Sequence, residues 1–148
     1  MKAGRAIDFV WLASASPRRA ELLPQIGVRF EVLRLGEFAV DETPRGREAP
    51  ARYVKRLALE KARAGQQAMR ARGLELRPVL GADTTVALGG DILGKPADAP
   101  DPARAASRML RALSGRTHRV LTAVALVDGM RERVVLSSSR VRFRTLSR

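Results

Sequence analysis

The segment Ile7-Asp8-Phe9-Val10-Trp11-Leu12-Ala13-Ser14-Ala15-Ser16-Pro17-Arg18-Arg19 passes from a short apolar run to Ser-Pro and then to two arginines. A run of this length reads as a buried strand over residues 7–13. Ser16 and Pro17 have the chemistry of a helix N-cap and a first helical position. Strand, tight turn and helix in direct succession are the opening unit of a layered α/β fold.

The pattern continues downstream. Leu22, Leu23 and Ile26 predict an apolar helix stripe, and Gly27 suits the position just past the helix end. Val28, Phe30 and Val32 alternate, which predicts a strand with one buried face. Residues 36–50 carry Pro44, Gly46 and Pro50 among polar residues and read as a loop. From Ala51 to Arg72, Val54, Leu57, Ala58 and Ala68 recur at helical spacing. Gly73 closes that helix, and Gly65 weakens its second half. Pro78–Ala82 reads as a strand leading into Asp83. Thr84–Leu88 is β-prone, and Gly89-Gly90-Asp91 predicts a turn returning through Ile92 and Leu93. Asp101-Pro102 predicts another helix start, with Ala106, Met109, Leu110 and Leu113 on one face and Gly115 as the stop. Val120–Val127, the turn Asp128-Gly129 and Arg133–Phe143 predict a closing hairpin. The expected fold is α/β, a mixed twisted sheet with flanking helices in a single domain over residues 1–148.

Composition narrows the function. The chain has 148 residues, no cysteine and one histidine. Disulfides, thiolate metal sites, a thiol nucleophile and His-rich zinc sites are thereby excluded. No apolar run reaches membrane-spanning length. Lys2 and Arg5 precede a short apolar stretch, but Pro17-Arg18-Arg19 follow it, which is not a signal-peptide pattern. A soluble cytosolic protein is expected. The net charge of +13 rests on 28 Lys and Arg, nearly all Arg. It is open to two readings, an anionic partner or a solvated basic surface in an Arg- and Ala-rich chain. The arginines are scattered and few aromatics accompany them, which favours the second.

Several groups of residues carry possible chemistry. Ser14-Ala15-Ser16-Pro17-Arg18-Arg19 joins a strand to a helix N-terminus, where unpaired N–H groups and a partial positive charge favour anions. Two arginines there oppose the usual preference for acids in the first turn. A bound phosphate reverses that conflict; the other reading is a plain cap with exposed arginines. Asp83 follows an apolar strand, where open α/β sheets place ligands, and a carboxylate there can hold a divalent cation or activate water. It can equally be a turn aspartate. Asp41-Glu42 can complete a hard-cation site or be a solvated loop pair. Lys61 shares the apolar face of its helix with Leu57, either reaching a cleft or snorkelling at its edge. Gly89–Pro96 nearly fits a phosphate-binding P-loop. Pro96, however, replaces the metal-binding hydroxyl and disfavours helix at Lys95, so that reading is rejected. Lys95 remains a possible anion contact. A lone His118 before a strand reads as structural.

Six segments stand in one order: Leu12–Arg19, Asp41-Glu42, Glu60-Lys61-Ala62, Gly81-Ala82-Asp83-Thr84, Gly94-Lys95-Pro96 and Leu113–His118. In this the chain resembles the Maf family of nucleoside triphosphate pyrophosphatases, also called septum formation inhibitor proteins, from Phe9 to Leu146. The resemblance implies two lobes around a cleft and metal-dependent hydrolysis of a nucleoside triphosphate to the monophosphate and pyrophosphate. Under it, Asp83 matches the catalytic acid that accepts a proton from the attacking water. Arg18 and Thr84 match positions tied to base selection. Ser14, Arg19, Glu42, Lys61 and Lys95 match polar cleft residues. Asp83 and Glu42 are the expected ligands of Mg2+ or Mn2+. Pro17-Arg18-Arg19 and Ala82-Asp83-Thr84 resemble the dTTP/UTP branch. The 7-methyl-GTP branch typically has Trp in the first motif and Ser-Asp-Gln in the fourth. A homodimer is also implied. Family members usually continue past Phe143–Ser147 with a further helix, a Gly-rich segment and closing strands. The chain is therefore expected to be C-terminally short, whether as a natural form or a truncated one.

The leading expectation is a pyrophosphatase acting on dTTP, UTP and related pyrimidine nucleotides, with no need of nucleic acid or membrane. The alternatives are 7-methyl-GTP hydrolysis, or a nucleic-acid or cell-division binding protein without turnover.

Overall fold

The structure is a computed structural model that describes residues 8–147. Lys2, Arg5 and Ile7 lie outside the described residues. The chain runs β1 (Val10–Leu12), α1 (Pro17–Gln25), β2 (Phe30–Val32), α2 (Pro50–Ala71), β3 (Val79–Leu88), β4 (Asp91–Leu93), α3 (Pro102–Leu113), β5 (Thr117–Asp128) and β6 (Arg131–Arg142). Single 3-10 turns lie at Gly36–Phe38 and Pro96–Asp98.

One mixed sheet has the order β2-β1-β3-β5-β6, with β4 paired to β3. β1 is parallel to β2 and β3, whereas β3, β4, β5 and β6 are joined antiparallel. This is the mixed α/β sheet that the sequence predicts. The two β-prone runs on either side of Asp83 form one continuous strand, β3. The last hairpin turns through Gly129 and Met130, one residue later than expected, with Gly129 at φ +60°.

The main core lies between α2 and the sheet. Val54, Ala58 and Ala62 pack on Ala87, Leu121, Ala123, Ala125 and Val127. Small side chains on both layers bring helix and strand close. At Gly81 a Cβ would lie 2.6 Å from the Ala62 amide nitrogen and nearer still to the Ala58 carbonyl oxygen. Gly65 does not weaken α2, which runs unbroken past it. A Cβ there would come within 2.7 Å of the Val79 side chain and 2.8 Å of Ala13. Close approach, rather than helix propensity, explains that glycine. A second cluster joins Trp11, Ala13, Leu33, Ala68, Met69 and Val79, and the Trp11 indole N–H donates to the Glu75 carbonyl at 2.9 Å.

Three expected apolar faces are corrected. Of the α1 stripe only Leu23 is buried, and Ile26 is 73% exposed. Of the α3 face only Leu113 is buried, and Leu110 is 48% exposed. β2 has no buried face, because it is a three-residue strand at the edge of the sheet. These helices sit at the rim, and helical spacing says which residues share a face but not what covers it.

The feature that positions the site is a break along one side of β3. β1 pairs with it only at Val79 and Leu80, and β4 only at Val86–Leu88. From Gly81 to Thr85 that side of β3 has no strand partner, while β5 runs continuously along the other side.

Candidate active site

Asp83 and Thr84 sit in this break and point to opposite faces, as neighbours in a strand must. Asp83, only 2% exposed, faces α2. Its Oδ1 accepts from Lys61 Nζ at 3.0 Å. The same ammonium lies 2.7 Å from Glu42 Oε1. One lysine thus bridges a carboxylate from β3 and another from the loop before α2. Thr84 faces the other way, and its hydroxyl meets that of Thr122, its direct cross-strand neighbour on β5, at 3.0 Å.

Arg19 closes the site from α1. Its Nη1 donates to Ser14 Oγ at 2.9 Å and its Nη2 reaches Thr84 Oγ1 at 3.5 Å. Ser14 Oγ also accepts from the Ser16 amide at 3.2 Å. Ser14 therefore fixes both the turn and the guanidinium. Ser16 occupies the N-cap position but makes no side-chain cap bond, and the first turn of α1 carries no acid. The α1 amino end faces the cleft with its positive partial charge uncompensated from within the helix.

A cleft of about 830 Å³ collects these groups. Arg18, Arg19, Glu42, Asp83, Thr84 and Lys95 all line it. Ser14 and Lys61 stand behind that lining, bonded to Arg19 and to the two carboxylates. The sequence reading missed two further members, Tyr53 and Thr122. Tyr53 donates from its hydroxyl to the Glu42 carbonyl at 2.6 Å. Only its place one turn before Leu57 on the helix hinted at a role. Thr122 had no signal without the register that sets it opposite Thr84. His118 is buried away from these groups against Phe143, with ring centroids 4.9 Å apart, as a structural residue.

The Glu42 loop is held by charge as well. Arg56 grips Glu48 through Nε and Nη2 at 2.8 Å each, reaches Glu60, and donates to the Thr43 carbonyl. Hydrogen bonds to Glu48 raise the Arg56 pKa well above its ordinary value. At Glu42 burial pushes the carboxyl up. The bond to Lys61 and the charges of Lys61, Lys95 and Arg19 outweigh it and hold the group below the usual glutamate range. Burial lowers the Arg19 pKa, and the Asp83 and Glu42 charges oppose that. Burial, then the same two carboxylates, raise the Tyr53 phenol.

A protein-family model described as Maf-like protein matches residues 9–148. The chain belongs to the Maf family. Similar curated relatives are a protein of Aromatoleum aromaticum, 57% identical over 93% of this chain and 68% of that protein, and one of Polaromonas sp., 51% identical over the same shares. Both are named dTTP/UTP pyrophosphatase. Among solved structures, the Staphylococcus aureus Ham1 protein aligns with a TM-score of 0.52 at 15% identity, over 88% of this chain and 69% of that one. At that identity the likeness concerns the fold alone.

The Maf cleft has a donor set suited to a hard cation. Glu42 and Asp83 converge on one cationic centre, and both offer carboxylate oxygens. Among the described residues no group of three or more His, Cys, Asp or Glu could hold a metal ion. Two carboxylates fit Mg2+ or Mn2+ bound together with substrate phosphates, rather than in an all-protein cage. No helix among the described residues is long and apolar enough to cross a membrane.

Proposed function

We propose that this Maf-family chain hydrolyses dTTP and UTP, and related pyrimidine nucleotides, to the monophosphate and pyrophosphate. The observation that carries the reading is the meeting of Asp83, Glu42 and Arg19 in one cleft at the amino end of α1, with Lys61 bridging the two carboxylates behind it. The dTTP/UTP pyrophosphatase names of relatives at 51% and 57% identity support the substrate class.

In this reading the triphosphate lies along the α1 amino end. Arg18, Arg19 and Lys95 neutralise its oxygens, and Arg19 is pre-aimed by Ser14. Asp83 offers a carboxylate oxygen to take the proton from the attacking water. The water oxygen bonds to the α-phosphorus and the bond from that phosphorus to the bridging oxygen breaks. The electron pair leaves with pyrophosphate, whose charge the same cations stabilise. A divalent cation held by Asp83 and Glu42 supplies Lewis-acid polarisation of the phosphoryl group when bound. Thr84 and Thr122 present hydroxyls, each able to donate or accept, to the base. A cytoplasmic location and a homodimer belong to the same reading, on the strength of the family resemblance.

The test is a nucleotide panel with pyrophosphate detection, with and without Mg2+ or Mn2+. Metal-dependent release from dTTP and UTP is expected. Preference for 7-methyl-GTP would transfer the chain to the other branch. Absence of turnover with tight, steeply salt-dependent DNA binding would favour a binding protein instead.

A further inference from the structure

Lys61 occupies the place where the two carboxylates of the site converge. Its ammonium stands 2.7 Å from Glu42 and 3.0 Å from Asp83. Its side chain is 14% exposed, and it does not line the cleft. A lysine that first met the triphosphate would instead point into the open cleft, as Arg18 and Lys95 do. We propose that Lys61 is the resident counter-ion of the metal site: it neutralises Asp83 and Glu42 in the nucleotide-free protein, gives up that position to the divalent cation, and turns to the phosphate chain when metal and nucleotide arrive together. This rests on the reading of the cleft as a metal-dependent triphosphate site.

Charge counting supports it. Two carboxylates face Lys61, Arg19 adds positive charge at both, and Lys95 adds more at Glu42. A free dication therefore meets acids already neutralised and a surplus of positive charge. Only the polyanionic triphosphate reverses that balance. Burial makes the pairing hard to leave vacant, because a buried carboxylate without a partner is costly. The lysine ammonium is a compact point charge on a flexible four-carbon stem, which lets it swing from one oxygen set to another. The arrangement couples metal occupancy to substrate occupancy, so that neither the metal nor activated water is in place without a nucleotide.

The test measures Mn2+ binding to the full chain without nucleotide, by electron paramagnetic resonance of free Mn2+. Wild type is expected to bind weakly. Lys61→Met keeps the length and apolar stem and removes the charge, so it is expected to bind Mn2+ at least about tenfold more tightly. Equal or weaker binding by a folded Lys61→Met protein would overturn the proposal. If that variant does not fold, the 15N signal of the Lys61 ammonium in wild type decides. It should stay in place with Mg2+ alone and shift with Mg2+ plus a non-hydrolysable dTTP analogue. A shift with Mg2+ alone at low concentration, or none with both, would overturn it. The nucleotide panel tests the underlying activity separately, since Mn2+ binding is read with no substrate present.

Discussion

The Tyr53 hydroxyl donates to the backbone carbonyl of Glu42 at 2.6 Å, which ties the loop carrying one site carboxylate to the helix carrying Lys61. The ring is buried, and only the oxygen reaches out of the core. Tyr53→Phe keeps the packing and removes the bond. The lost hydrogen bond is worth about 1 kcal/mol, so pyrophosphate release from dTTP should fall by about fivefold and the thermal midpoint by about 2–4 °C. Steady-state kinetics alongside circular dichroism checks this. An unchanged rate would mean that Arg56 alone holds the loop.

Asp83→Asn is nearly isosteric and leaves Lys61 its second partner, Glu42. Folding should survive, while loss of the proton acceptor lowers turnover by about 10²–10⁴-fold. Retention of most activity would remove Asp83 from its role.

Thr122→Val deprives the Thr84 hydroxyl of its 3.0 Å partner without disturbing the strand register. The expected result is a KM for dTTP raised about fivefold, with kcat nearly unchanged. The ratio of dTTP to UTP efficiency should shift as well, since Thr84 then keeps only its contact with Arg19 beside the base. Identical kinetics would place the hydroxyl pair outside substrate contact.

Gly81→Ala puts a methyl group where the α2 backbone already stands. The backbone cannot yield as a flexible side chain can, so the destabilisation should reach about 1–3 kcal/mol or more. A lowered urea midpoint would show it.

The pH dependence follows from Glu42. Its folded pKa lies below its ordinary value, so between the two the folded state binds fewer protons than the unfolded state, and stability rises with pH. The contribution is complete above the unfolded value of about 4.3 and is lost as pH falls through the lowered folded value. The thermal-midpoint gap between wild type and Glu42→Gln should therefore be constant at neutral pH and close on acidification. A gap that widens in acid would contradict the assignment.

The sequence made the architecture legible where periodicity and punctuation agree. Ser16-Pro17, Asp101-Pro102, Gly73 and Gly115 mark helix ends that the structure keeps, and Asp101 Oδ1 accepts from the Arg104 amide as a cap should. The exposure of the stripe residues Ile26 and Leu110 is not legible in the sequence, because burial depends on neighbours far along the chain. The same holds for the site. Asp83, Glu42 and Lys61 each had a reason to be singled out, but their meeting within 3.0 Å depends on how a loop folds over α2. Thr122 was invisible for a similar reason: its chemistry exists only opposite Thr84, across a strand pairing that spans 38 positions.

The unpaired interval between Gly81 and Thr85 owes its existence to the lengths of two short flanking strands, not to any reactive side chain. Architecture and reagent are therefore separable. Exchanging Thr84 or Thr122 retunes what is recognised while the opening itself persists, whereas further pairing from β1 or β4 would narrow it with every reactive group still present. Changes that extend β1 beyond Leu12 or β4 beyond Leu93 are thus a more damaging class than most replacements inside the pocket.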